Sequence, residues 1–181
     1  MKEYLILVLV AIGLLFSACS KTEDVAEEAA INGNPFFSEW STPFKVPPFD
    51  KIKPEHYIPA YEKGMEEQKA EIDEIVNNPE APTFDNTIGA LDRSDKLFSN
   101  VSRVFGGLSG ANTNDELKEI QKEMAPRLSA HRDEINLNKK LFERIKTVYD
   151  QREGQDYTDE QTYLLENLYK RYVRNGAELN D

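Results

Sequence analysis

TDEQTYLLENLYKRYVRNG (Thr158–Gly176) carries the pattern that decides the fold. Thr158 followed three residues later by Gln161 has the form of a capping box, in which hydroxyl and amide side chains satisfy the free amides at a helix start. Behind it Leu164, Leu165, Leu168, Tyr169, Tyr172 and Val173 recur at the spacing that puts apolar side chains on one face of a 3.6-residue repeat. Gly176 then falls where a helix stops by turning left-handed. Start, stripe and stop agree, and the segment reads as an amphipathic helix.

The same grammar recurs upstream. Leu141, Phe142, Ile145, Val148 and Tyr149 mark a helix bounded by Asn136–Asn138 before it and Gly154 after it. Thr113-Asn114-Asp115-Glu116 has capping form ahead of the stripe Leu117, Ile120, Met124, Leu128, and Pro126 inside that stripe is expected to kink it. Thr83 is a good cap ahead of Phe84, Ile88, Leu91, Phe98, Val101, Phe105 and Leu108, with Gly106, Gly107 and Gly110 weakening the last turn. Tyr61, Met65, Gln68, Ile72 and Ile75 define a further helix, with Pro54 and Pro59 at its start and Pro79 and Pro82 beyond its end. No segment alternates with the period of two that a strand needs. The fold class expected is all-α, about five amphipathic helices in an irregular array.

Ahead of the helices the composition changes. From Asn34 to Lys53, Pro35, Pro43, Pro47 and Pro48 interleave with Phe36, Phe37, Trp40, Phe44 and Phe49. This much proline forbids a long helix, and this many aromatic rings are costly to leave in water. An extended arm laid across a helical body satisfies both demands. A ligand-stacking aromatic surface is the other reading, and nothing polar is placed to orient a ligand there. Residues 20–30 (SKTEDVAEEAA) are acidic and small, which suits a flexible spacer or a short exposed helix.

The N-terminus begins with the apolar run YLILVLVAIGLLF (Tyr4–Phe16) behind Lys2. As a helix it would reach about 20 Å, short of the roughly 30 Å hydrocarbon core of a bilayer, so it reads as an export signal. Leu15-Phe16-Ser17-Ala18 ahead of Cys19, the single cysteine, resembles a bacterial lipobox, with Phe16 where leucine is usual. That resemblance implies cleavage before Cys19 and a lipid on its thiol, making Cys19 a membrane tether rather than a nucleophile. The organisation expected is a signal over residues 1–18, an acidic linker over 19–33 and a helical segment over 34–181, in a protein exported to the bacterial cell envelope and anchored to a membrane. The net charge of −11 excludes nucleic acid as a partner, because phosphate binding needs clustered Lys and Arg.

The residue types that do chemistry are thinly spread. His56 and His131 stand alone, outside any H-E-x-x-H pair that would set two imidazoles on one helix face. His131 continues the Leu117–Leu128 stripe, which suits a packing histidine, and Glu134 one turn on gives too few ligands for a metal. Gly106–Gly110 lacks the Gly-Lys-Ser/Thr ending of a phosphate loop. Tyr149 stands where a calcium loop would open, and acidic pairs such as Glu27-Glu28 and Glu66-Glu67 read as solvated faces. No catalytic and no metal-binding residue is assigned.

Four blocks then carry a resemblance: NPFF (Asn34–Phe37) with KVPPFDKIKPEHYIPAYEKGM (Lys45–Met65), PTFDNTIGALDRS (Pro82–Ser94), EMAPRLSAHRDEINLNKKLFERI (Glu123–Ile145) and EQTYLLENLYKRYVRNGAEL (Glu160–Leu179). In this order they resemble the start of bacterial peptidyl-dipeptidases of the thimet-oligopeptidase-like zinc metallopeptidase family. The resemblance implies a zinc site beyond Asp181, and hence a chain that is the N-terminal, catalytically inert part of a longer enzyme. Zinc, the release of C-terminal dipeptides from short peptides, and a place in the wall of a substrate channel are expectations for that parent. The alternative is a complete, non-catalytic helical lipoprotein that binds a peptide or protein partner. A wall segment should leave an apolar face open, expected at the aromatic arm and the Tyr163, Tyr169 and Tyr172 side of the last helix.

Overall fold

The computed structural model describes residues 33–178. The residues expected to form the signal and the linker, up to Asn32 and with Cys19 among them, lie outside the described residues. The described residues divide into two units, one ending at Ala60 and one beginning at Tyr61.

In the first unit the proline-rich stretch is not uniformly extended. Three 3-10 turns, Pro35–Phe37, Pro43–Lys45 and Pro54–His56, each open on a proline whose missing amide costs nothing at a first position. The Asn34 side chain links the first and last of them. Its Oδ1 accepts from the Phe36 amide at 3.1 Å and its Nδ2 donates to the His56 carbonyl at 2.9 Å. Phe36 is buried, 5.6 Å from the Tyr57 ring and 6.3 Å from Trp40, whose indole N–H donates to the Pro35 carbonyl. Phe44 is held at φ 58° and is 99 % exposed.

In the second unit the described residues form five long helices and one short one, with no strand. Helix α1 (Tyr57–Val76) enters it from the first unit. The next element begins as a π-helical stretch, Phe84–Gly89, and runs into a single α turn, Ala90–Arg93; together they are α2. Then follow α3 (Lys96–Ala111), α4 (Asp115–Asn136), α5 (Lys139–Asp150) and α6 (Asp159–Arg174). The caps explain the starts. Thr83 and Thr158 form capping boxes with Asn86 and Gln161, while Asn114, not Thr113, caps α4 by accepting from the Leu117 amide at 2.8 Å. Gly176 at φ 94° closes α6, with its amide on the Val173 carbonyl and that of Ala177 on the Tyr172 carbonyl.

Two features depart from the sequence pattern. The apolar run from Phe84 to Leu108 is split at Ser94-Asp95, where Asp95 takes φ 76° and its amide donates to the Glu71 carboxylate of α1 at 3.0 Å. A side-chain acceptor from another helix thus ends a stripe that periodicity would continue. Helix α4 runs through Pro126 without a break. Pro126 lies on an exposed side, where the Lys122 carbonyl deprived of its amide partner can bond water.

The core joins Ile72 and Ile75 of α1, Ile88 of α2, Leu141, Phe142, Ile145 and Val148 of α5, and Leu165, Leu168 and Tyr172 of α6. Arg144 locks the loop ahead of α2 onto α5: its guanidinium donates to the carbonyls of Asn78 (3.1 Å) and Glu80 (3.3 Å) and to Asn86 Oδ1 (3.1 Å). Helices α1 and α3 touch at Gly64, where a Cβ would lie 2.8 Å from the Phe98 backbone.

Candidate functional site

Within the second unit a cleft of about 630 Å³ opens between α1, α3, α4 and α6. Its floor follows from the stripes. Tyr61 of α1 sets its ring edge-on to Phe98 and Phe105 of α3, each 5.9 Å away, and Met124 of α4 and Tyr172 of α6 close the bottom. Tyr61, Met124 and Tyr172 are almost wholly buried. Burial pushes the Tyr172 phenol up to about 12 and the Tyr61 phenol upward as well, so both stay neutral at any physiological pH.

His131 lies in this floor as a buried packing histidine, 4 % exposed. Its ring is 5.2 Å from Phe98, and its Nε2 is 2.7 Å from Gln68 Oε1. With the amide oxygen as acceptor, Nε2 carries the proton, and Nδ1 is closed off from solvent without a partner. Burial, reinforced by the Lys69 ammonium and opposed by Glu134, lowers its pKa, so the imidazole is neutral near pH 7. Glu134 itself pairs with Lys69 at 2.5 Å and does not join His131 in a ligand set.

At the mouth stand Asp95, Arg132 and Arg171. Desolvation raises the Asp95 carboxyl, with Arg103 and Arg171 working against that rise. Asp95 was not evident from the sequence, because its place depends on the break between α2 and α3. Along α4 the open side of the cleft is Gln121, Ala125, Leu128 and Arg132, at steps of four, three and four residues.

Other residues singled out in the sequence lie apart. His56 belongs to the first unit and accepts from the Lys53 amide through Nδ1. Gly106, Gly107 and Gly110 are helical, in α3, and form no loop. Glu66 and Glu67 are exposed and pair with Lys63. Of the last helix's tyrosines only Tyr163 is exposed, at 74 %. Tyr169 is half-buried, stacked 3.9 Å from Tyr149, and Tyr172 is in the core, which corrects the expectation of an open face there. The rings face inward because α5 and α6 pack through them. Cys19 lies outside the described residues. Among the described residues no group of three His, Cys, Asp or Glu side chains could hold a metal ion, and none of their helices is long and apolar enough to cross a membrane.

No family model matches the chain. Individual proteins do. It is 39 % identical over 146 residues to a dipeptidyl carboxypeptidase of Salmonella typhimurium and 38 % identical over 146 residues to one of Escherichia coli, in each case covering 81 % of this chain. It is also 28 % identical over 116 residues to oligopeptidase A of Escherichia coli, covering 64 % of this chain. The matched stretch is 22 %, 21 % and 17 % of these relatives, so the chain spans about a fifth of their length.

Proposed function

Because the chain is a relative of the dipeptidyl carboxypeptidases, matching an N-terminal part of them, we propose that it is the non-catalytic opening portion of a lipid-anchored zinc metallopeptidase that releases C-terminal dipeptides from short peptides. The observation that carries this reading is four-fifths of the chain matched at 38–39 % identity by proteins of that name. Among the described residues no three His, Cys, Asp or Glu side chains come together to hold a zinc ion, and this reading assigns the metal to the rest of the parent rather than to this chain. Its own residues build a wall: an apolar floor of Tyr61, Phe98, Phe105, Met124 and Tyr172 that excludes water, with neutral His131 held by Gln68. The segment lines a channel for short peptides, and the lipid on Cys19 holds it at a membrane of the cell envelope.

Two experiments test this. The full chain, incubated with a short peptide bearing a free C-terminus, should release no dipeptide by mass spectrometry, with or without added zinc. Chelator-sensitive release would refute its inertness. In a bacterial host fed a labelled fatty acid, the wild-type chain should take up label and Cys19→Ala should not; an unlabelled wild type would refute the anchor.

A further inference from the structure

The first unit shows apolar side chains to water. Of the six large hydrophobic residues exposed among the described residues, four lie close together in it: Phe37, Phe44, Val46 and Phe49. Phe44 is the extreme case, with its ring almost wholly in solvent. It and Lys45 take φ 58° and 54°, a left-handed region that residues other than glycine rarely enter. The turn is nevertheless tied. The Lys45 amide donates to the Thr42 carbonyl at 3.0 Å and the Val46 amide to the Pro43 carbonyl at 3.3 Å. The Thr42 hydroxyl donates to the Val46 carbonyl, and the Lys45 ammonium meets the Glu39 carboxylate at 2.6 Å. A backbone held in this conformation presents a phenyl ring that covers nothing of its own chain, and such outliers mark contact sites.

A ring standing clear of its neighbours is a prong. A protein partner would have to offer it a matching pocket, whereas the headgroup boundary of a bilayer takes up aromatic rings without one. Charge points the same way. Gly33 to Ala60 holds Lys45, Lys51 and Lys53 against Glu39, Asp50 and Glu55, so none of the net charge of −11 falls on this unit and an anionic bilayer does not repel it. Cys19 stands fourteen positions before Gly33, a length of chain that reaches at most about 50 Å when fully extended. With a lipid on Cys19, even a weak second contact forms at high effective concentration. We propose that Phe44, with Val46 and Phe49 beside it, inserts into the headgroup boundary of the membrane to which Cys19 is tethered. This rests on the reading of Cys19 as a lipid anchor.

Trp40, the single tryptophan, stands four residues before Phe44 and serves as the probe. The full chain is expressed in a bacterial host, its lipid is checked by mass, and it is reconstituted into vesicles of phosphatidylethanolamine and phosphatidylglycerol. Half of the samples also contain phosphatidylcholine brominated high on its acyl chain, which quenches tryptophan only on close approach. The brominated lipid should remove at least half of the Trp40 emission. Phe44→Asn deletes the ring with a residue that tolerates the left-handed region, so the turn is kept and most of the quenching should be lost. Tyr163→Asn, at an exposed ring of the second unit, should leave quenching as it is. A lipidated wild type whose Trp40 is not quenched would overturn the docking and leave the anchor standing. So would quenching unchanged by Phe44→Asn, or a loss just as large in Tyr163→Asn. A wild type that carries no lipid would overturn the anchor and the docking together.

Discussion

Gly64→Ala is the sharpest perturbation of this fold, because helix propensity and packing predict opposite signs. Inside a helix, alanine is favoured over glycine by about 0.8–1 kcal/mol. At Gly64 the added methyl would sit 2.8 Å from both the Cα and the amide nitrogen of Phe98 and 3.1 Å from its Cβ. Carbon atoms rest at about 3.5–4.0 Å, so α1 and α3 must move apart by about 0.7 Å or more, and a gap of that size forfeits a quarter to a half of each contact across the crossing. Overpacking costs about 1–3 kcal/mol, and because the atoms met are backbone and cannot swing aside the upper half of that range, about 2–3 kcal/mol, applies, which leaves a net loss of about 1–2 kcal/mol. At about 2–4 °C per kcal/mol for a chain of this size, Tm should fall by about 2–8 °C. Gly107→Ala is the matched comparison: it lies in α3, nothing stands within 4 Å of the added methyl, and Tm should rise by about 2–3 °C. Thermal and urea unfolding followed by far-ultraviolet circular dichroism give both values. If Gly64→Ala melts at or above the wild type while Gly107→Ala also rises, α1 and α3 do not touch at Gly64 and the reasoning fails.

Arg144→Met should cost about 1–3 kcal/mol in urea unfolding, since it takes the guanidinium from the Asn78 and Glu80 carbonyls and from Asn86 Oδ1, the last of which keeps the Thr83 amide and the Thr87 hydroxyl; Arg144→Lys should not recover most of that, because an ammonium cannot span three acceptors in a fork. The lowered pKa of His131 makes the unfolded chain bind more protons than the folded one below about pH 6.5, so stability should fall as the pH drops through that value toward the folded pKa. His131→Gln should flatten this slope in denaturant midpoints taken between about pH 7.5 and about 5.5, with a residual slope from His56, whose pKa is lowered in the same direction. An unchanged slope would remove His131 as its source. Thr158→Ala, which loses the acceptor for the Gln161 amide, should cost about 1 kcal/mol by the same unfolding assay.

The Thr158–Gly176 segment shows how far local chemistry reaches. Its capping box, its apolar stripe and its glycine stop are all present as read, and the stripes of α1, α4 and α5 supply the buried residues expected of them. Phe84–Leu108 shows where it stops. Its apolar spacing continues through Asp95, yet the chain breaks there left-handed, with the Asp95 amide on the Glu71 carboxylate of α1. The cleft was legible only in pieces, as stripe residues Tyr61, Gln68, Met124 and His131 without a hint of how they meet.

What the sequence by itself determined is therefore the all-helical class, the caps and stops, and the kinship carried by four ordered blocks. These rest on hydrogen bonds and periodicities within a few residues of one another. Only the tertiary structure decided the break at Asp95, the crossing at Gly64, the burial of Tyr169 and Tyr172, and the cleft in which His131 turns to Gln68. Each of those depends on atoms of separate helices, distant from one another along the chain, and a one-dimensional pattern holds no distance between helices.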